Sequence, residues 1–178
     1  AIKMTRGHYR SCGKDPHACC VSNLLSAQPT IRSGRKETYA FGKDTGRYWD
    51  AGAVNVHWVI ATDSQVEAGI NEAIRRVKAP NVLIEGTSLL RFIQPDLAIL
   101  VANAEVTKTK ASVRRALLDK KINAIYLPHE SLFKTRGEVA VTLSQISPEI
   151  DFDWLNRLPV VLADEPHQLL DLLDLQNN

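Results

Sequence analysis

Residues 41–53, "FGKDTGRYWDAGA", hold a glycine, a lysine, an aspartate and a hydroxyl in succession at Gly42, Lys43, Asp44 and Thr45. Gly42-Lys43 followed by a hydroxyl has the composition of the end of a phosphate loop. A full loop would need Gly-x-x-x-x-Gly-Lys-Ser/Thr. Position 37 is Glu where that pattern asks for glycine, so the segment is a fragment of the motif. A second candidate is Glu85-Gly86, closing the apolar run "NVLIEG". A carboxylate at a strand tip can orient Mg²⁺ or an attacking water, and a following glycine lets a phosphate approach the backbone. The same pair also suits a helix cap or a salt-bridged surface acid, so the residues alone leave both readings open.

The third group is "CGKDPHACC" with His8 ahead of it. Cys12, Cys19 and Cys20 with His17 or His8 offer thiolate and imidazole to Zn²⁺ or an iron–sulfur cluster. Their Cys-x6-Cys-Cys spacing matches no standard zinc knuckle. An exposed loop with incidental thiols, or a redox-sensitive Cys19-Cys20 pair, is compatible with the same residues. Three cysteines, none beyond residue 20, make no disulfide framework.

The pattern of elements that must position these groups is α/β. "AIKMT" reads as a strand, and residues 6–40 as a long irregular loop. "TGRYWDAGA" reads as a short helix ended by Gly52, and "VNVHWVIAT" as a strand. "DSQVEAGINEAIRRVKA" is an amphipathic helix with Ser64 or Asp63 as N-cap and Glu67 completing a capping box. "NVLIEG" and "DLAILVAN" read as buried strands, the second covered on both faces. "TKTKASVRRALLDKK" reads as a basic helix and "INAIYLP" as a strand. The alternation predicts a mostly parallel sheet with flanking helices in three layers. Residues 1–178 are expected to form a single domain, with a Cys-containing loop at 6–40 and a C-terminal helical flank at 148–178. Trp49, His57, Trp58 and Trp154 read as packing residues rather than a stacking platform.

In such sheets ligands bind beyond the carboxyl ends of the strands. Here those ends carry Thr5-Arg6, Thr62-Asp63, Glu85-Gly86-Thr87, Asn103 and Pro128-His129.

In that order the motifs resemble molybdopterin-guanine dinucleotide biosynthesis protein B and its relatives, which are P-loop NTPases. The likeness covers roughly residues 1–103. Ile2-Lys3 and Thr5 match the family's strand end, with Met4 in place of its histidine. Gly42, Lys43, Asp44 and Thr45 match its Gly-Lys-Asp motif, followed by Arg47 and Ala51-Gly52-Ala53. Glu85-Gly86 match its acidic strand end. The resemblance implies that Lys3, Thr5, Gly42 to Thr45, Arg47, Glu85 and Gly86 surround a purine nucleotide, GTP or ATP, and its Mg²⁺. Lys43 would meet phosphate oxygens, while Thr45 and Glu85 would act through the metal shell, Glu85 as the catalytic acid residue. Any hydrolysis is expected to be slow and to serve handover to a partner enzyme of cofactor biosynthesis. The family's upstream strand, loop and helix, roughly forty residues, are absent from the sequence. Either a segment precedes residue 1 or the lineage gave up triphosphate binding, and the apolar strand at residue 1 favours the first. The basic helix reads as a solvated face; the alternative is that Lys108 and Lys110 lie near a purine ring, as base-recognition lysines do in relatives of the GTPase type, but no Asn-Lys-x-Asp motif supports it and base identity stays open.

The bulk properties set limits. A net charge of +2 is too small to argue for nucleic acid or a membrane surface. Residues 1–47 nevertheless carry nine Lys and Arg against three acids, a surface suited to an anion. No apolar run of about 18 residues exists, and no signal-peptide pattern opens the chain. The expectation is a cytoplasmic protein without nucleic-acid or membrane partners; a homodimer stays open. Two rival readings also stay open: a non-enzymatic metal-binding accessory domain that uses the cysteine loop, and a degenerate scaffold.

Overall fold

The computed structural model describes residues 1–7, 21–102, 110–129, 135–146 and 148–176. The chain divides into two compact units, Ala1–Phe92 and Ile93–Asn178, and each has its own sheet. The architecture is α/β, with mostly parallel strands flanked by helices, as the sequence pattern predicts.

In the first unit β1 (Ile2–Arg6) is an inner strand. It pairs in parallel with β3 (His57–Ala61) on one side and with β4 (Ile84–Glu85) on the other. The strand β2 (Thr30–Ser33) runs antiparallel along the far edge of β3. It forms within the segment read from sequence as irregular, followed by a short helix α1 (Arg35–Thr38). The pleat of β1 separates its side chains. Ile2 and Met4 are buried on one face, and Lys3 and Thr5 project from the other. Parallel register sets His57 beside Ile2 and Val59 beside Met4, so these four share a face.

Helix α3 (Val66–Arg75) packs on the Val59 face of the sheet through Val66, Ile70 and Ala73, with Gly69 among its buried positions. A Cβ on Gly69 would come within 2.9 Å of Val59 Cγ1, so glycine permits the close approach. Each fully buried Ile or Val here contributes about 1.5–3 kcal/mol. The helix is preceded by a 3₁₀ turn over Asp63–Gln65, which moves its cap upstream. The capping box is Thr62 with Gln65, not Ser64 or Asp63 with Glu67; Gln65 Oε1 accepts from the Thr62 N–H at 3.0 Å.

Helix α2 (Asp44–Asp50) is the short helix expected after Gly42. Both flanking glycines hold left-handed backbone, φ 71° at Gly42 and φ 90° at Gly52. Gly46 is required for a different reason. A Cβ there would lie 2.1 Å from the Ala40 carbonyl oxygen.

The run "NVLIEG" is not a buried strand. Only Ile84 and Glu85 pair, against the start of β1, and Leu83 is 62% exposed. An edge position with two paired residues leaves one side without a neighbouring strand, which sequence hydrophobicity does not reveal.

The second unit contains β5 (Ile99–Val101), α4 (Ala111–Leu118), β6 (Ala124–Leu127), α5 (Arg136–Ile146), α6 (Phe152–Leu155), β7 (Val160–Leu162) and α7 (Gln168–Gln176). Its three strands are all parallel with β6 central. Within residues 148–178, read from sequence as a helical flank, "VVL" therefore supplies a strand. At the opposite edge β5 buries only Leu100, with Val101 62% exposed, so it is not covered on both faces as its apolar run suggested. Among the described residues no helix is long and apolar enough to cross a membrane.

Candidate functional site

Three segments far apart in sequence meet in the first unit around one ammonium. Lys3 projects from β1, and parallel register places Glu85 of β4 beside it. Their side chains fall on the same face because paired residues of parallel strands do so. Lys3 Nζ donates to Glu85 Oε1 and lies 2.6 Å from Asp44 Oδ2, at the first residue of α2. Tyr48, one helical turn after Asp44, donates its hydroxyl to Glu85 Oε2. The result is a cation held between two carboxylates, with a phenol capping one of them.

Environment fixes the charge state of this cluster. Burial of Lys3 pulls its pKa down, yet the hydrogen bonds to Asp44 and Glu85 outweigh it and the net shift is upward. The Lys3 hydrogen bond holds the Asp44 carboxyl below the usual carboxylate range, against a burial effect of opposite sign; the charges of Lys3, Arg47 and Lys43 add to the lowering. Burial pushes the Tyr48 phenol well above its ordinary value, reinforced by its hydrogen bond to Glu85. Lys3 and Asp44 are therefore ionised and Tyr48 protonated at neutral pH.

The remaining sequence-selected residues of this unit fall around the cluster. Lys43 is the residue just before α2 and Arg47 lies in its first turns; both are exposed, and their charges act on Asp44. Thr45 is 8% exposed, and its hydroxyl has no hydrogen-bond partner among the described residues. The Thr5 hydroxyl, on the Lys3 face of β1, accepts from Trp58 Nε1 at 2.9 Å. Gly86 holds φ 145°, with Met4 Cβ only 3.1 Å from where a Cβ would sit. At the carboxyl ends of β1 and β3, Arg6 Nη1 bonds Asp63 Oδ1 at 2.8 Å.

Two carboxylates sharing one cation, with a buried and unpartnered hydroxyl next in the chain, are oxygen donors of the kind Mg²⁺ selects. That ion keeps several waters and takes one or two carboxylates with substrate phosphates, so the donor set fits. Cys12, His17, Cys19 and Cys20, with His8, lie outside the described residues. Among those described, no group of three or more His, Cys, Asp or Glu is placed to hold a metal.

Sequence reasoning missed Tyr48, although its spacing of four residues from Asp44 on a helix was the available signal. It also assigned Lys3 to phosphate without foreseeing that two acids would hold it. The expected packing aromatics are hydrogen-bonded: Trp49 Nε1 to Thr38 Oγ1 at 2.9 Å, and His57 Nδ1 to Ser33 Oγ at 2.8 Å.

In comparisons with known proteins, no family model, no curated protein and no solved structure matches this chain significantly.

Proposed function

We propose that the Lys3, Asp44 and Glu85 cluster is one wall of a site for a purine nucleotide with Mg²⁺, in a P-loop NTPase-like protein. The observation that supports this reading is the convergence of Lys3, Asp44 and Glu85 from three separate elements onto one point. A structural ion pair needs one acid for one base. Here a single ammonium serves two carboxylates, leaving the cluster one negative charge in excess.

That arrangement suits an exchange of cations. Without ligand, Lys3 neutralises two acids that would otherwise repel each other. Asp44 and Glu85 would be the residues to hold Mg²⁺, which would supply a divalent charge in place of the ammonium. Lys3 would then be free to turn to the phosphates, joining Lys43 and Arg47, which are exposed. Asp44, Glu85 and the Thr45 hydroxyl would hold the metal, directly or through water. Tyr48 fixes the Glu85 carboxylate by donating to one oxygen, so the other faces the site. Positioning and electrostatics carry such chemistry, and turnover by these residues alone would be slow.

Residues 1–178 contain no complete phosphate loop, so the backbone cradle that supplies most phosphate contacts in such proteins is not in this sequence. The affinity expected of the wall alone is modest. The proposal extends to a cytoplasmic role as an accessory in metallocofactor biosynthesis, handing a product to a partner enzyme.

Thermal unfolding with and without Mg²⁺ and GTP or ATP tests the reading. Nucleotide at a hundred times Kd stabilises by about 2.7 kcal/mol. The expected result is a rise in Tm that needs both nucleotide and Mg²⁺ and is lost in Glu85→Gln with folding intact. A Glu85→Gln protein that loses much of its stability, or that keeps the full response, defeats the assignment.

A further inference from the structure

A second feature of the first unit lies at one end of the sheet, and of the residues in the nucleotide reading only Tyr48 lines it. At the amino ends of β1, β3 and β4 there is a pocket of about 600 Å³. That volume is within the range of small-molecule sites, roughly 300–1,000 Å³. The turn after α2 forms one wall and the segment after α3 the other, with Val54, Val77 and Leu83 among the apolar lining.

The charge of the pocket has one sign. Arg76 and Lys78 line it, and no Asp or Glu does. Arg76 gives its Nε–H to Glu72 at 2.9 Å. The Lys78 side chain has no partner among the described residues. Asymmetric lining of this kind focuses an electrostatic field favourable to anions.

His57 supplies the second observation. It is 3% exposed and lines the pocket, and its Nδ1 is engaged by Ser33 Oγ. Its Nε2 has no hydrogen-bond partner among the described residues. Buried polar nitrogens are rarely left so. Burial above all, with the Arg76 charge adding to it, lowers the His57 pKa, so the ring is neutral near pH 7. In the tautomer in which the Ser33 hydroxyl donates to Nδ1, the ring proton sits on Nε2 as a donor, and an anion in the pocket selects that tautomer. A buried N–H, two cations and an apolar wall together describe the complement of an organic acid.

We propose that this pocket binds a small organic anion, an apolar body carrying an acidic group whose oxygens meet Lys78, Arg76 and the His57 Nε2–H. The pocket meets the Lys3 cluster at Tyr48, which lines it and donates its hydroxyl to Glu85, while His57 and Lys3 project from opposite faces of the sheet.

Two fluorescent probes with the same apolar body test it: anilinonaphthalene sulfonate, which is anionic, and N-phenylnaphthylamine, which is neutral. The sulfonate is expected to bind at least tenfold more tightly and to shift the His57 ring resonances in long-range ¹H–¹⁵N spectra, holding the Nε2–H tautomer. Arg76 and Lys78 are exposed, so a double variant Arg76→Gln, Lys78→Gln keeps the fold. It is expected to weaken sulfonate binding about tenfold or more, the loss typical of charge-assisted contacts. Unmoved His57 resonances at saturating sulfonate overturn the proposal with the wild-type protein alone. Equal binding of the two probes, or a double variant of wild-type affinity, overturns it as well.

Discussion

Replacing Lys3 by methionine keeps the length and apolar stem of the side chain and removes only its charge. The Lys3 side chain is 19% exposed and each acidic partner 46%. Half-exposed partners are screened, so each ion pair is worth at most about 1 kcal/mol. The variant also leaves Asp44 and Glu85 facing each other, which costs about 1 kcal/mol more in a water-like dielectric. The expected loss at pH 7 is therefore about 1–3 kcal/mol, read as a lower urea midpoint with an unchanged slope. Acid should narrow the gap. Lys3 depresses the folded-state pKa of Asp44 below its ordinary 3.8. The stability this adds is present above that value and is lost as pH falls through the lower folded-state value. Wild type and Lys3→Met should thus converge below about pH 4. At pH 7, Mg²⁺ should stabilise the variant more than the wild type at matched ionic strength, because Lys3 no longer competes for the carboxylates. A variant as stable as wild type, together with no selective response to Mg²⁺ over Na⁺, refutes the cation-exchange reasoning.

Two further outcomes follow from the same geometry. Tyr48 is one of four tyrosines, and its phenol is held protonated, so in alkaline titration one of them should fail to ionise with the rest until the fold opens. Its contribution to stability is present below the ordinary phenol value of 10.0 and declines as pH rises above it; Tyr48→Phe should abolish the delayed fraction, whereas wild-type phenols titrating together near pH 10 would sink the assignment. Gly46→Ala should cost about 1–3 kcal/mol, because its new methyl meets the Ala40 carbonyl oxygen, while α2 as an isolated helix would favour alanine; a stabilised variant contradicts the close approach.

The parts of the fold readable from sequence were those with a local cause. The apolar period of Val66, Ile70 and Ala73 specifies a helix whatever surrounds it, and Gly52 ends α2 through its own backbone freedom. What depends on partners was not readable. β4 pairs over only two residues although β1 runs on to Arg6, and β7 pairs with β6 although its run of three apolar residues looks like a linker. The site divides in the same way. Lys43, Asp44 and Thr45 stand out as a motif, and Glu85 as a strand-end acid. That Asp44 and Glu85 share one ammonium follows only from the parallel register of β1 with β4 and the direction of α2. Tyr48 carried a helical spacing to Asp44 but no chemistry of its own until Glu85 stood beside it.

Crystals grown with Mn²⁺ in place of Mg²⁺ and with GTP or ATP would locate the metal by anomalous scattering. A metal peak is expected at coordination distance from carboxylate oxygens of Asp44 and Glu85, bridged to nucleotide phosphates, with the Lys3 ammonium turned away from both acids. Nucleotide bound with its metal elsewhere, and Lys3 still seated between Asp44 and Glu85, would contradict it.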